Sequence, residues 1–320
     1  MIAMSDKQDD LMAKVAYLYY MKDQTQAQIA RAINVDRSTV SRLLKKARRS
    51  GVVTIQINHS STGLFEIEEQ LKNGFDLEQV VVIPSTEGDS VDERNQRLAA
   101  AAARYLKRVI KPHAKVGFAW GTTLAGMIGQ LDHPVHTNAL FVPLVGGPSP
   151  ENAKYHVNGI VYDAARQFGG ESLFVDAAAV QESKLLRDGI MASQYFQRVR
   201  RAWEHLDLAF VGIGGALKKG TSRWRDLLTA EDIDSLSDRE VIGDCCCTFF
   251  DRNGKILRGE LLSRTIAISP EQLRVTPNTV AVARGLSKAP AIKACLQMDL
   301  INTLITDQQT AERICELAHL

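Results

Sequence analysis

A run of roughly 18 consecutive apolar residues, which a membrane-spanning helix needs, is missing from this 320-residue sequence. The first ten residues, MIAMSDKQDD, also lack the basic-then-apolar order of a secretory signal. With 45% hydrophobic and 24% charged residues, the composition is that of an ordinary soluble protein. We therefore expect a cytoplasmic protein that has no membrane partner.

Cysteine is scarce, and its positions fit neither a disulfide framework nor a zinc site. The five residues are Cys245, Cys246, Cys247, Cys295 and Cys315, an odd number without a CxxC pair. We predict that CCCTFFD is one strand. Neighbouring side chains of a strand point to opposite faces, so three adjacent thiols cannot converge on one metal. We expect reduced thiols in the core, and neither a metal nor a cofactor.

Motifs of catalysis and of dinucleotide binding are also missing. The sequence has no GxSxG elbow and no His-rich metal motif. The stretch VGIGG does not complete GxGxxG, because Leu217 stands where the third small residue belongs. His156 and Asp244 have the chemistry of a base and an acid, but no spacing fixes their mutual geometry. The sequence therefore predicts no catalytic residues.

Basic residues are concentrated near the start of the chain. Residues 1–60 hold ten Lys or Arg against five Asp or Glu, whereas the remainder holds 29 against 32. A basic block on a near-neutral body indicates a polyanionic partner for one small domain. The length fits two domains, and the turn-rich stretch NHSSTGL separates them. We place the domains at residues 1–58 and 59–320.

The stretch QAQIARAINVDRSTVSRLLKKARR, residues 26–49, predicts two short helices joined by a tight turn. Thr25 and Gln28 have the spacing of a capping box for the first of them. Asn34 tolerates the left-handed conformation that ends a helix, and Asp36 can cap the next helix. With a preceding helix, the expected spans are residues 8–21, 26–33 and 37–49. This is the layout of a helix-turn-helix.

The last of these helices has an apolar face opposite a basic, hydroxyl-rich face. Its expected core positions are Val40, Leu43, Leu44 and Ala47. The side chains expected to contact DNA are Gln26, Arg37, Ser38, Thr39, Ser41, Arg42 and Lys45. Hydroxyls and Arg near the helix start can reach base edges, and basic residues can neutralise phosphates. A solvated helical hairpin is the alternative, but the caps, the turn and the one-sided charge all favour DNA binding.

Two segments connect this block to the rest of the chain. The first, GVVTIQIN (residues 51–58), alternates like a strand and is either a small wing or a tether. The second, LFEIEEQLKNGF (residues 64–75), is an amphipathic helix that packs on the body or pairs with a second copy. A single helix-turn-helix buries little DNA surface, which favours a dimer.

From residue 79 onward, short apolar strands alternate with helices. The strands QVVVIPS, KVGFAWG, ALFVPLVGG, DLAFVGIGG, TVAVARG and INTLITD are dominated by consecutive apolar residues and do not alternate with polar ones. Such strands, with intervening helices, indicate a parallel sheet that is covered on both faces. We predict an α/β fold with a doubly wound parallel sheet. Ligands of such sheets bind beyond the carboxyl ends of the strands.

Loops at those strand ends carry candidate ligand-binding residues. In GFAWGTTL, Gly121 follows a strand and Thr122 and Thr123 open a helix, which suits an anion such as a sugar phosphate. The same residues are also ordinary for a strand end and a helix cap. Lys288 lies at a helix start in ARGLSKAPAIKA, where it is either solvated or bound to a phosphate or carbonyl. Several such loops together favour a pocket more than any one does.

Taken together, these motifs resemble the SorC family of sugar-responsive bacterial transcription regulators. The helix-turn-helix is joined to a body that carries GFAWGTTL, VGIG, Gly243-Asp244 before an aromatic-rich strand, SKAPAI and INTLITDQQTA. The resemblance covers nearly the whole chain. KYHVNGIVYDAARQ and LLRDGIM are most similar to the sorbose- and sorbitol-operon branch.

The resemblance implies a homotetrameric regulator of a carbohydrate-utilisation operon. Its effector domain, with a sugar-phosphate isomerase-like Rossmann fold, would bind a sugar, polyol or sugar phosphate without catalysis. The implied effector-binding residues are Gly121, Thr122, Thr123, His156, Asn158, Asp244 and Lys288. The sequence departs from the pattern at Val145, where phosphosugar-binding relatives often have Arg, and this favours a monophosphate or an unphosphorylated polyol. The alternative is a working sugar-phosphate isomerase with an accessory DNA-binding arm.

Overall fold

The structure, a computed structural model, describes residues 2–55, 62–86, 88–131, 134–148, 155–216 and 227–320. Its contacts divide the chain into two compact units, Met1–Thr62 and Gly63–Leu320. The boundary predicted between residues 58 and 59 falls outside the described residues and stays a prediction. No helix in the described part of the chain is long and apolar enough to cross a membrane.

The first unit is built from helices packed around a small apolar core. They are α1 (Ile2–Tyr20), α2 (Gln26–Ala32) and α3 (Arg37–Arg49). The core consists of Met12, Val15, Ala16, Ile29, Ala30, Val40, Leu43, Leu44 and Ala47. The four core positions predicted for α3 are therefore confirmed.

The turn between α2 and α3 follows from two local features of the sequence. Thr25 and Gln28 form the predicted capping box, in which the Gln28 N–H donates to Thr25 Oγ1 at 3.3 Å and the Thr25 N–H donates to Gln28 Oε1 at 2.9 Å. Asn34 has a φ of +52°, as expected of a left-handed residue after a helix. Asp36 occupies the N-cap position of α3, but its side chain makes no capping hydrogen bond.

The segment after α3, interpreted from its pattern as either a small wing or a tether, has no strand in its described residues 51–55. Residues 51–55 are a turn and a bend without strand pairing, and residues 56–58 lie outside the described residues. Val52 and Ile55 are both exposed, with 47% and 54% of their surface accessible. A strand of this length needs a partner for its backbone groups, and the described part of the unit consists of helices.

The second unit contains a parallel sheet in its described residues. The strands are β1 (Gln79–Ile83), β2 (Lys115–Phe118), β3 (Leu140–Pro143), β4 (Glu171–Ser172), β5 (Leu208–Val211), β9 (Asn278–Val282) and β10 (Thr303–Asp307). Their order is β1-β10-β9-β5-β2-β3-β4, and every pairing is parallel. A smaller antiparallel sheet consists of β6 (Ile213–Gly214), β7 (Gly243–Cys245) and β8 (Thr248–Phe250).

Helices cover the parallel sheet and link its strands. They are α4 (Thr62–Gly74), α5 (Val91–Val109), α6 (Thr122–Gly129), α7 (Val157–Phe168), α8 (Lys184–Ala192), α9 (Gln194–Trp203), α10 (Ala230–Asp238), α11 (Glu260–Ser263), α12 (Pro270–Val275), α13 (Ala289–Gln297) and α14 (Gln308–Ala318). Leu64 and Leu71 of α4 belong to the core of this unit, so α4 packs on the body. The predicted α/β fold with a doubly wound sheet is confirmed.

Burial explains why the central strands are apolar along their whole length. All four residues of β5 are buried, and the rings of Phe118 and Phe210 stack across β2 and β5 with centroids 5.2 Å apart. From β2, the chain continues through β3 and β4 on one side, whereas β5, β9 and β10 lie on the other. The switch point therefore lies between β2 and β5, where the loops diverge and leave a crevice.

The stretch CCCTFFD is a hairpin and not the single strand that we predicted. Cys245 pairs with Thr248, and the two residues between them form the turn. Cys246 and Cys247 have φ values of +49° and +57°, which suits a tight hairpin turn. The sequence lacks the Gly or Asn that usually marks such a turn, so this hairpin could not be read from it. In the described part of the chain, no group of three or more His, Cys, Asp or Glu can hold a metal ion.

The two caps of the helix pair lead to different expected losses of stability. Thr25→Ala removes the acceptor for the Gln28 N–H and should cost α2 about 1 kcal/mol, whereas Asp36→Ala removes no capping hydrogen bond and should cost clearly less. Hydrogen exchange of α2 and α3 amides in the full chain, followed by mass spectrometry, measures both. Equal losses of protection would show that the capping box is not what holds α2.

Candidate functional site

The outer face of α3 carries the side chains predicted to contact DNA. Its exposed or partly exposed residues include Arg37, Ser38, Thr39, Ser41, Arg42 and Lys45. Because successive helical residues are about 100° apart, the core positions of α3 lie on the opposite side. Gln26, which was predicted with this set, is the partly buried first residue of α2. The structure thus brings six of the seven predicted residues onto one short helix.

Arg42 is held in place by a neighbour on the same face. Its Nη2 donates to Thr39 Oγ1, one turn earlier, at 3.3 Å. An ordered guanidinium loses less side-chain entropy when it binds a partner. The last turn of α3 adds Lys46, Arg48 and Arg49, and cations are favoured at a helix C-terminus by the helix dipole. This face can therefore combine directed hydrogen bonding with neutralisation of several anionic groups.

A cavity of about 600 Å³ lies at the switch point of the parallel sheet. Its volume is in the range of small-molecule sites. Gly121, Thr122 and Thr123 line it from the loop after β2, Asp244 from β7, and Lys288 from the segment before α13. The structure thus brings together five of the seven residues that the sequence suggested for a ligand.

The loop after β2 is shaped by its glycine. Gly121 is the N-cap of α6 and has a φ of +140°, a conformation that L side chains rarely adopt. It allows the chain to turn directly from strand to helix, so that Thr122 and Thr123 begin α6 at the cavity. The first N–H groups of a helix have no intrahelical acceptor, and with two hydroxyls they form a set of donors suited to an oxyanion.

Charge in the cavity comes from one acid and one base, as far as its lining is described. Asp244 is 5% exposed, and Lys288 is half-buried at the end of the 3-10 turn Leu286–Lys288. The other described lining residues are apolar, hydroxyl-bearing, thiol-bearing, glycine, proline or tryptophan. Val145 also lines the cavity and is 1% exposed. The site therefore suits a hydroxyl-rich ligand with at most a small negative charge.

His156 and Asn158 are outside the described lining of this cavity, and hydrogen bonds within the fold engage them. His156 is the N-cap of α7, and its Nδ1 accepts from the Asn158 N–H at 3.2 Å. The Asn158 side chain donates to Val175 O at 3.2 Å and accepts from the Val175 N–H at 3.0 Å. Burial lowers the pKa of His156, while the carboxylate of Asp176 opposes this shift, and a neutral imidazole is the form that accepts a hydrogen bond.

The glycine pair after β3 also serves close packing. A Cβ on Gly146 would lie 2.6 Å from Ala178 O, and one on Gly147 would lie 2.3 Å from His156 Nε2. Both glycines are thus required by neighbours that approach the backbone. Close packing therefore accounts for Gly146 and Gly147 at the end of β3, and neither glycine needs a direct role in ligand binding.

Four side chains of the lining were missed by reasoning from the sequence. Trp120, Tyr155, Cys246 and Cys247 all line the cavity. Trp120 directly precedes Gly121 and Tyr155 precedes His156, so adjacency to the suggested residues was an available signal. The two cysteines reach the cavity only because they form the hairpin turn, and no signal for that turn is present in the sequence.

Comparison with protein families shows which family the second unit of the chain resembles. Residues 59–316 match the family described as "Putative sugar-binding domain". The chain is 36% identical over 304 residues to the Sorbitol operon regulator of Klebsiella pneumoniae, covering 94% of this chain and 96% of that protein.

Solved structures agree with this relationship over most of the chain. The full-length sorbitol operon regulator SorC from Klebsiella pneumoniae has a TM-score of 0.75 and 36% identity, covering 95% of this chain and 98% of that one. A transcriptional regulator from Streptococcus pneumoniae TIGR4 has a TM-score of 0.77 and 40% identity, covering 82% of this chain and all of that one.

The hydrogen bonds of Asn158 predict a loss of stability rather than a direct loss of ligand binding. Asn158→Ala leaves the polar groups of Val175 without these partners and should cost the second unit about 2 kcal/mol. Urea unfolding of the full chain, followed by tryptophan fluorescence, measures this loss. Unchanged unfolding with weakened ligand binding would instead make Asn158 a ligand contact.

Proposed function

Since this chain belongs to the SorC family of transcription regulators with a sugar-binding domain, we propose that a sugar, polyol or sugar monophosphate binds in the switch-point cavity and sets its affinity for operator DNA. As a member of this family the protein is a DNA-binding regulator of a carbohydrate operon and not an enzyme. The relative from Klebsiella pneumoniae is named for sorbitol, which makes sorbitol and its phosphate the first effectors to test.

The charge pattern of the cavity is the observation that carries this proposal. Lys288 supplies a point charge for one phosphate, and Asp244 can accept hydrogen bonds from ligand hydroxyls. Gly121, Thr122 and Thr123 would hold the phosphate or equivalent hydroxyls at the start of α6. Val145 places an apolar surface where a second cation would be needed for a bisphosphate. His156 and Asn158 would act indirectly, by holding the segment behind Gly147.

On DNA, α3 would act as the recognition helix in the major groove. Arg37, Ser38, Thr39, Ser41, Arg42 and Lys45 would meet base edges and phosphates, and the start of α2 with Gln26 would contact a backbone phosphate. Arg42 is the best candidate for base readout because Thr39 orders its guanidinium, and Arg pairs in bidentate fashion with guanine. Lys46, Arg48 and Arg49 would add charge neutralisation, which makes binding dependent on salt.

A DNA-binding site and an effector site on one chain do not by themselves produce regulation. An effector changes DNA affinity only if it binds one arrangement of the protein better than another. In a homotetramer, or a dimer as the minimum, rotation of subunits would change the spacing of the recognition helices and hence their fit to two half-sites.

The assignment of α3 predicts a separable effect on DNA binding. Arg42→Ala should weaken operator binding by about 1–3 kcal/mol and leave effector binding unchanged. Fluorescence anisotropy with operator DNA at fixed salt measures this. Arg198→Ala, which removes a 71% exposed side chain from α9, is the matched control and should bind DNA like the wild type. Equal operator affinity of both variants would remove Arg42 from the interface.

The assignment of the cavity predicts ligand-dependent stability. A ligand that binds only the folded state should raise the melting temperature by mass action. We expect a rise with D-sorbitol, L-sorbose or D-sorbitol 6-phosphate in differential scanning fluorimetry, and loss of that rise in Lys288→Ala. The same sugars should show no turnover, in contrast to the isomerase alternative. A panel of sugars, polyols and phosphates without any rise would contradict the proposed effector class.

A further inference from the structure

Lys288 lies at the end of the segment that leaves the sheet after β9, and it is the N-cap of α13. Residues 283–288 connect the end of β9 to α13, and Gly285 within them has a φ of +116°. The segment ends in the short 3-10 turn that presents Lys288 to the cavity. Sheet pairing ends at the Ala283 N–H, which donates to Ile305 O at 3.2 Å. Beyond Ala283, side-chain contacts help to fix the path of the segment towards Lys288.

The first contact is a buried ion pair at the start of the segment. Arg284 Nε donates to Asp307 Oδ2 at 2.8 Å, and the side chains are only 13% and 3% exposed. Arg284 Nη1 also donates to Asn95 Oδ1 of α5 at 2.8 Å. Breaking such a pair leaves a buried charge without compensation, which is strongly unfavourable.

The second contact also involves the carboxylate of Asp307, and it holds Gly285, the residue after Arg284. The Gly285 N–H donates to Thr310 Oγ1 at 2.8 Å, and this hydroxyl in turn donates to Asp307 Oδ1. The Thr310 N–H also donates to Asp307 Oδ1 at 3.0 Å, which makes Asp307 the N-cap of α14. One buried carboxylate therefore fixes both the side chain of Arg284 and the backbone of Gly285. Hydrogen bonds from Thr310 and Arg284 outweigh the effect of burial and keep the pKa of Asp307 below its ordinary value.

On the other side, the aliphatic stem of Lys288 lies against a glycine. A Cβ on Gly215 would lie 3.2 Å from Lys288 Cγ, closer than side chains normally pack. Gly215 follows β6, so the stem is confined between the segment fixed by Asp307 and the edge of the small sheet. This close packing limits the positions open to the aliphatic stem of Lys288.

We propose that Asp307, Arg284 and Thr310 are positioning residues that hold Lys288 at the effector cavity. None of the three is in the described lining of the cavity, so they would act on a ligand through Lys288. The proposal rests on the proposed function for the identity of the ligand, but the positioning of Lys288 can be measured without one.

The chain offers a closely matched control for a test. Asp232 and Arg264 form another buried ion pair, with Arg264 Nη2 2.5 Å from Asp232 Oδ2 and side chains 11% and 9% exposed. Asp232 also accepts hydrogen bonds at a helix start, as the N3 residue of the capping box of α10, whose N-cap is Thr229. It lines a different cavity, together with Glu260 and Arg239. Asp307→Asn and Asp232→Asn thus both remove a buried charge while keeping a side chain that can cap.

The first experiment needs no ligand. Lysines of the wild type, Asp307→Asn and Asp232→Asn are acetylated with N-hydroxysuccinimide acetate, and the rate at each site is read by peptide mass spectrometry. We expect a severalfold faster reaction of Lys288 in Asp307→Asn alone, with half-buried Lys293 of α13 as the internal reference. Equal rates at Lys288 in all three proteins would overturn the proposal, as would an equal rise in Asp232→Asn.

The second experiment measures the affinity for D-sorbitol 6-phosphate by isothermal titration calorimetry. Asp307→Asn should bind at least roughly tenfold more weakly, the range in which outer partners support metal ligands, whereas Asp232→Asn should bind like the wild type despite its lower stability. In a Lys288→Ala background, Asp307→Asn should cause little further loss. A full additional loss in that background would show that Asp307 does not act through Lys288.

The two experiments separate failure of this inference from failure of the proposed function. If the wild type does not bind D-sorbitol 6-phosphate, that result counts against the proposed effector, and the acetylation rates decide on the positioning of Lys288. If the wild type binds and Asp307→Asn binds equally well, the inference alone is wrong.

Arg284→Lys, which keeps a cation opposite Asp307, should recover part of the affinity that Arg284→Ala loses.

Discussion

The parallel pairing of β2 with β5 is the constraint on which the cavity depends. Parallel strands bring their carboxyl ends to one edge of a sheet, and here the chain leaves this pair in opposite directions. The loops that follow β2 and β5 therefore diverge and cannot fill the space between them. The stacked rings of Phe118 and Phe210 fix the pair from within the core. The polar side chains proposed to bind the ligand line the cavity at this edge.

Around that edge, the structure uses conformations that ordinary side chains avoid. Gly121 turns the chain into α6 with a left-handed backbone, and Gly285 does the same before Lys288. Cys246 and Cys247 adopt left-handed conformations without being glycine, at a cost of roughly 1–2 kcal/mol each. Strain of this kind tends to accumulate at functional sites, and both thiols line the cavity. The hairpin turn thus places two thiols at the cavity, although Gly or Asn would fit its backbone conformation better.

The helix-turn-helix depends on different physics from the sugar-binding body. Its small core and its capping box are local in sequence, and the face proposed to contact DNA is the side of α3 that the core leaves exposed. The body, in contrast, gathers its site from segments up to about 170 residues apart, from Gly121 to Lys288. In the proposed regulator, a ligand of the body would change DNA binding only through a coupling free energy between the two sites.

The sequence by itself determined the features that rest on local periodicity and local capping. The Thr25 box, the left-handed Asn34, the buried face of α3 and the apolar strands of the parallel sheet all followed from neighbours within a few residues. The cysteine hairpin did not, because no Gly or Asn marks its turn. Helices α7 to α12 were not predicted although some of them carry local signals, such as the helical spacing of the apolar residues of α7 and the capping box of α12. Only the tertiary structure decided that Tyr155, Cys246 and Cys247 meet at the cavity and that Asp307 holds the segment of Lys288. Such contacts join distant segments through packing, and packing is a property of the whole sheet that no short stretch encodes.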